Sequence, residues 1–155
     1  MDLSQHRYAV TLDWTGNRGS GTSSYRAYGR DHVVQADGVP DLLASADSTF
    51  HGDRDRWNPE LFLLAALSEC HMLSYLHVAV RHGVVVTGYQ DQAHGTLRLN
   101  RDSSGEFTEA VLRPDVTLAD EAQRELADGL HHEAHELCFI ARSVNFEVRV
   151  EPVRG

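Results

Sequence analysis

One segment constrains the fold more than any other. Asn58-Pro59-Glu60 opens a stretch that meets no further Gly or Pro until Gly83. Asn is a favoured N-cap, Pro suits the first helical position because its missing N–H would be unbonded there, and an acid in the first turn complements the helix dipole. Gly83 supplies the stop, since glycine accepts the left-handed conformation that ends helices. The helix so bounded is apolar nearly all round at its start, through Leu61, Phe62, Leu63, Leu64 and Leu67, and continues through Met72, Leu73, Leu76 and Val80. A helix of that kind must be buried on most sides. The chain has 155 residues, a length that predicts a single domain over 1–155. Two covers are then open: an ordinary core behind a sheet, or a subunit interface.

The flanking segments predict strands. His6–Trp14 alternates, with Tyr8, Val10, Leu12 and Trp14 on one face, which reads as a half-buried strand. Gly16, Gly19 and Gly21 mark a turn, and a second strand is expected over Ser24–Ala36, broken near Gly29. Asp37–Arg56 is polar and without period, a long loop. Beyond the helix, Val84–Gln90 and His94–Asn100 read as paired strands, and Phe107–Leu118 as another, interrupted at Pro114. Asp120–Leu137 reads as a second helix, and Val144–Glu151 as a closing strand with Val144, Phe146, Val148 and Val150 on one face. Strands before, between and after two helices predict an α+β fold.

Charge and composition remove several classes of function. A formal net charge of −9 argues against nucleic acid as a partner, because neutralising phosphates needs clustered cations. All 14 basic residues are Arg, which excludes Schiff-base lysines and the P-loop lysine. The longest apolar run, Leu61–Leu67, is seven residues against the roughly 20 of a membrane span, and Met1–Gln5 has no apolar leader. No membrane partner and a cytoplasmic location are expected. Two cysteines, Cys70 and Cys138, make neither a disulfide framework nor a four-thiolate zinc site, but they permit a redox pair.

Cys70 falls mid-helix and Cys138 just after the second helix. Buried, inert thiols are one outcome; a reactive thiol needs a cationic neighbour to favour its thiolate. Glu60 and Cys70 are ten residues apart on one helix, so about 80° apart in azimuth, and neither activates the other directly. With no lysine, the activating cation would be Arg or protonated His. A separate constellation, His131, His135 and Cys138, is spaced i, i+4, i+7 and projects from one helical face. It is a candidate metal face, with His71 or His77 as a further ligand, or else a row of solvated or hydrogen-bonded histidines. Gly16–Gly21 (GNRGSG) matches no phosphate-binding fingerprint, and adjacent Cys70-His71 point about 100° apart, too far to bond side chain to side chain.

Taken together, Asn58-Pro59-Glu60, the helical context Ala65-Ala66-Leu67-Ser68-Glu69-Cys70-His71, a second Cys 68 residues on in HHEAHELCFIARSV, the Tyr25–His32 stretch and the loop Asp47–Trp57 resemble the OsmC/Ohr proteins. These are thiol peroxidases that reduce organic hydroperoxides, and the chain is more similar to their OsmC-like branch. The resemblance implies antiparallel sheets with two long helices, intertwined as a homodimer. It implies a cofactor-free peroxidase in which Cys70 is the peroxidatic thiol and Cys138 the resolving one. An Arg of the N-terminal half would stabilise the thiolate, held by Glu60; Arg30 is the first choice and Arg26 the reserve. Tyr75 or Phe139 would form apolar pocket wall. The Ohr branch is regenerated by a lipoyl-bearing protein, so a lipoyl-type dithiol is the candidate reductant. The alternative is a non-enzymatic metal- or small-ligand-binding protein on the same fold, using His131, His135 and Cys138.

Overall fold

Asn58 and Gly83 bound the first helix as their chemistry predicts. In a computed structural model, which describes residues 3–153, α1 spans Pro59–Arg81. Asn58 Oδ1 accepts the Leu61 N–H at 2.8 Å, satisfying one of the orphan donors of the first turn. At the far end Gly83 has φ 70°, and two hydrogen bonds, Gly83 N–H to Val80 O and Val84 N–H to Ala79 O, close a Schellman motif. By length and composition alone α1 would pass for a membrane span, yet one of its faces is packed into a protein core.

The chain divides into two compact units, 1–62 and 63–155, with α1 beginning in the first and running into the second. In the first unit three strands form an antiparallel meander: β1 (Thr11–Trp14), β2 (His32–Gln35) and β3 (Leu42–Ala44). The register pairs Trp14 with His32, and His32 with Ala44. The first two strands are shorter than alternation predicts. The Ser24–Ala36 strand in particular is confined to its last third, because residues before it are committed elsewhere. Gly29 donates to Gly16 O at 2.8 Å, and Trp14 Nε1 donates to Gly29 O at 2.9 Å, so this stretch folds as a loop against Gly16. The expected long loop over Asp37–Arg56 contains β3 and a 3-10 turn, Ser48–Phe50, started by Asp47 accepting the Thr49 N–H. Three residues are too few for a period to show. Within this chain Tyr8, Val10, Leu12 and Trp14 stay exposed, Tyr8 at 92 %.

The second unit carries β4 (Val86–Asp91), β5 (His94–Leu99), β6 (Gly105–Leu112), β7 (Pro114–Leu118), α2 (Arg124–Leu137) and β8 (Glu147–Val150). The expected pairing of Val84–Gln90 with His94–Asn100 is not formed. Instead β4 pairs with β7 and β5 with β6, both antiparallel, while β8 runs parallel to β6. The cause lies at Arg113-Pro114. The Arg113 N–H leaves the ladder and donates to Asp91 Oδ1 at 2.7 Å, and the buried Pro114 starts a new strand rather than interrupting one. The single Phe107–Leu118 strand is thereby split between two sheets. The predicted second helix begins later than Asp120, since Asp120 caps a separate 3-10 turn, Glu121–Gln123, before α2 starts. Tyr75, Val78 and Ala79 of α1 pack with Val116, Leu118, Ala127, Leu130 and Ala134 to make the core of this unit. The fold is α+β, as expected, with antiparallel pairing except between β6 and β8.

Candidate functional site

Two helices of the second unit bring the two cysteines together. Cys70 sits on α1, half-buried, and Cys138 is the C-cap residue of α2, 1 % exposed. Cys138 leaves the helix with extended backbone, φ −71° and ψ 109°, and its side chain is buried. Its Sγ accepts a hydrogen bond from the Ala141 N–H at 3.4 Å, and the Cys70 thiol is a close enough neighbour to act on its charge. Burial pushes the Cys138 thiol up to about 11; the Ala141 N–H opposes this and the neighbouring Cys70 thiol adds to it. Cys138 is therefore held as a thiol at neutral pH.

The helices are fixed at this point by polar contacts at their ends. Glu133 of α2 takes Arg81 at 3.2 Å and His82 at 2.9 Å, pinning the last turn of α1. Ser68, half a turn before Cys70, donates to Asp91 Oδ2 at 2.5 Å; the same carboxylate holds the Arg113 N–H. One aspartate thus ties α1 to the point where β6 passes into β7.

The histidines divide between hydrogen-bonded and solvated positions. His71 is fully buried and His131 is 4 % exposed, and their rings meet between the helices, Nε2 of His71 to Nδ1 of His131 at 3.0 Å. Burial drives both away from the charged form, His71 to about 3, with His131 and His135 contributing, and His131 to about 4. His132, by contrast, is exposed and faces Glu136. Among the described residues no group of three or more His, Cys, Asp and Glu is assembled to hold a metal ion, and His131 spends its Nδ1 on His71. The candidate metal face of His131, His135 and Cys138 is not assembled among the described residues. Tyr75 is core rather than pocket wall: it is fully buried, stacks on His131 at 4.1 Å and donates its hydroxyl to Ala127 O at 3.0 Å. Phe139 is 78 % exposed.

Three further expected residues belong to the first unit. Glu60 lies in the first turn of α1, half-buried, and its Oε2 is buried with no hydrogen-bond partner among the described residues. Arg30 is held rigidly: Nη1 donates to Tyr28 O at 2.6 Å and Nη2 to Tyr25 O at 2.7 Å. Its guanidinium also lies over both tyrosine rings, 4.0 Å from the Tyr28 centroid and 4.5 Å from that of Tyr25. Arg26 is exposed on the same loop and, with Arg18, Arg30, Ser48 and His51, lines a groove of about 430 Å³. The loop is pulled into shape by Asn17 Oδ1, which accepts both the Gly19 and Gly21 N–H groups.

Sequence reasoning grouped His71 with His131 only as a possible further metal ligand and missed their direct hydrogen bond, across 60 residues. A signal was present. His71 lies between Leu67 and Tyr75 at helical spacing, and His131 between Ala127 and Ala134, so each occupies the buried face of its helix.

Comparison with known proteins places these features in context. The model of the family described as OsmC-like protein matches residues 51–153. A solved OsmC-like protein of unknown function from Vibrio cholerae is 32 % identical, with TM-score 0.86, covering 96 % of this chain and 100 % of its own. An organic hydroperoxide resistance protein from Elizabethkingia anophelis shares the fold at 17 % identity, with TM-score 0.74 over 99 % of both chains. The Bacillus subtilis protein YmaD, itself uncharacterised, is 24 % identical over 96 % of this chain and 95 % of its own length.

Proposed function

The chain belongs to the OsmC-like family, and from that premise we propose that it is a two-cysteine peroxidase that reduces organic hydroperoxides. The observation that carries this reading is the meeting of the Cys70 and Cys138 thiols, brought from two helices 68 residues apart in sequence. A two-thiol route to peroxide reduction uses such a pair. The Cys70 thiolate attacks the distal peroxide oxygen, the O–O bond breaks, and the alkoxide leaves as the alcohol after taking a proton. Cys70 is left as a sulfenic acid. Cys138 then attacks that sulfur, a disulfide forms and water leaves. A dithiol reductant, lipoyl-type by analogy with the Ohr branch, returns both thiols.

The remaining residues take roles that suit their surroundings. Arg30 supplies the permanent cation for the thiolate, since its guanidinium is oriented by two tyrosine carbonyls and two rings. Arg26, exposed, is the second candidate. Glu60 is the residue to hold such a guanidinium when one approaches: its buried Oε2 has no partner, a cost that a cation at that position would relieve. No cofactor enters the scheme. The apolar faces left open within one chain, Leu12 and Trp14 on β1 and Leu73 and Val80 on α1, support a homodimer in which a second copy covers them. The reading places the protein in the cytoplasm, where thiols are kept reduced.

The test is direct. Reduced protein is mixed with cumene hydroperoxide, and peroxide loss and free thiols are followed together. Loss of peroxide with disappearance of both thiols is expected in the wild type, and none in Cys70→Ser. Unchanged turnover in Cys70→Ser would sink the proposal.

A further inference from the structure

Arg18 of the first unit has no part in the scheme above. It lines the groove of about 430 Å³ together with Arg26, Arg30, Ser48 and His51. The scheme asks for one guanidinium beside the thiolate, and this groove collects three. Arg18 lies against the backbone of Gly29, where an added Cβ would meet its Nη2 at 3.5 Å. Arg30 is the next residue, fixed by the carbonyls of Tyr25 and Tyr28. The loop that carries all three arginines is closed at its base, Thr15 N–H to Asp31 O at 2.9 Å and Gly29 N–H to Gly16 O at 2.8 Å.

The charges of this groove are not neutralised from within the chain. The protein has 23 acidic residues against 14 arginines, so a carboxylate is the expected neighbour of a guanidinium. Arg56, Arg81, Arg98, Arg124 and Arg149 all have one. Among the described residues Arg18, Arg26 and Arg30 form no ion pair, and no acidic side chain lines their groove. The acids nearby in sequence are committed elsewhere. Asp31 accepts the Ser45 hydroxyl at 2.9 Å and pairs with Arg56, Asp47 accepts the Thr49 N–H, and Asp53 accepts the Asp55 N–H. Three like charges held in one groove repel one another, and an anion seated among them removes that cost.

The donor set narrows the anion. Guanidiniums offer planar forks of N–H donors that fit the oxygens of a carboxylate or a phosphate. A carboxylate carries a single charge. A phosphate monoester carries about −1.5 to −2 at neutral pH and three acceptor oxygens, which matches three guanidiniums better. Ser48 adds a hydroxyl and His51 a ring nitrogen. His51 is held at φ 65°, in the left-handed region that non-glycine residues seldom occupy, and its ring meets Tyr25 edge-on at 5.1 Å. Such conformations gather at ligand sites.

We propose that the groove of Arg18, Arg26 and Arg30 is a binding site for a phosphate group, free or carried as a monoester by a small organic molecule. The site lies wholly in the first unit, and it stands or falls independently of the peroxidase reading.

The experiment is a calorimetric titration of the full-length protein at pH 7 and constant ionic strength, with inorganic phosphate, phenyl phosphate and acetate as probes. Inorganic phosphate is expected to bind with a dissociation constant of about 1 mM or tighter. Arg18→Gln removes no hydrogen bond or ion pair within the described chain and is expected to weaken phosphate binding by about 10–100-fold, the worth of one charge-assisted hydrogen bond. Arg101→Gln, the same loss of charge on the exposed turn between β5 and β6, is expected to leave binding unchanged. Tighter binding of phenyl phosphate than of inorganic phosphate identifies an organic monoester as the ligand; binding no tighter identifies free phosphate. No binding of either phosphate probe, equal binding of acetate, or an equal effect of Arg18→Gln and Arg101→Gln overturns the proposal.

Discussion

The Ala141 N–H points at the Cys138 sulfur from 3.4 Å, one 3-10 turn beyond the residue that ends α2. The contact holds a buried thiol in place without making it acidic, because burial outweighs the backbone donors of Ala141 and Ile140. The two thiols should differ sharply towards a probe from solvent. At pH 7, a maleimide is expected to modify half-buried Cys70 and to spare Cys138 until the protein is unfolded in denaturant. Mass spectrometry of the partially labelled protein reads this out; equal labelling of both thiols in native protein contradicts it.

Glu60 invites a milder change. Replacing it by Gln keeps shape and size but removes the charge that would hold a guanidinium. The partnerless Oε2 means that the variant breaks no hydrogen bond visible within the chain at that atom. Glu60→Gln is therefore expected to fold normally and to lose peroxidase rate by about 10–100-fold, the value of one charge-assisted hydrogen bond at about 1.5–3 kcal/mol. Thermal melting and initial rates with cumene hydroperoxide, taken on the same preparation, check both halves of the statement.

Acid should unfold this protein early. His71 and His131 titrate in the folded state near 3 and 4, below the ordinary value of 6.5. Between those limits the unfolded chain binds protons that the folded chain refuses, so stability is full above about 6.5 and falls as pH drops towards 4. Each histidine removes about 1.4 kcal/mol per pH unit inside that window. Denaturant unfolding at pH 7, 6, 5 and 4 should show this slope. His131→Gln should flatten it, even though the variant is itself less stable at pH 7.

The residues that were legible in sequence and those that were not differ in how far their causes reach along the chain. α1 was readable because Asn58, Pro59 and Gly83 act within a few residues of themselves, and the cap hydrogen bonds follow directly. Cys70 and Cys138 were singled out by scarcity and helix position, and the resemblance joined them. Strand partners were misread because β4 and β5 are separated by two residues, as in a hairpin, whereas the deciding event is the Asp91 carboxylate taking the Arg113 N–H 22 residues away. The histidines were placed on a polar face by their chemistry; the apolar residues at helical spacing around each were the better guide. Arg30 came from the resemblance, in a segment expected to be a strand; what immobilises it, carbonyls and rings of Tyr25 and Tyr28, is a feature of loop shape that periodicity does not encode.

That loop depends on a close approach between two glycines. A Cβ on Gly16 would fall 2.0 Å from Gly29 O and 2.5 Å from Trp14 Nε1, into the backbone that Trp14 and Gly16 hold by hydrogen bonds. Neither obstacle is the free end of a flexible side chain, so the loop has to move. Gly29 is the natural control. A Cβ there finds nothing nearer than 3.4 Å, an ordinary contact. Gly16→Ala is expected to cost about 1–3 kcal/mol, the usual penalty for overpacking, and Gly29→Ala less than about 0.5 kcal/mol. Because the same backbone positions Arg30, Gly16→Ala should also lower the peroxidase rate, with Gly29→Ala close to wild type. Melting temperatures and rates of the two variants side by side decide the matter, and equal behaviour of the pair would count against the packing drawn from this loop.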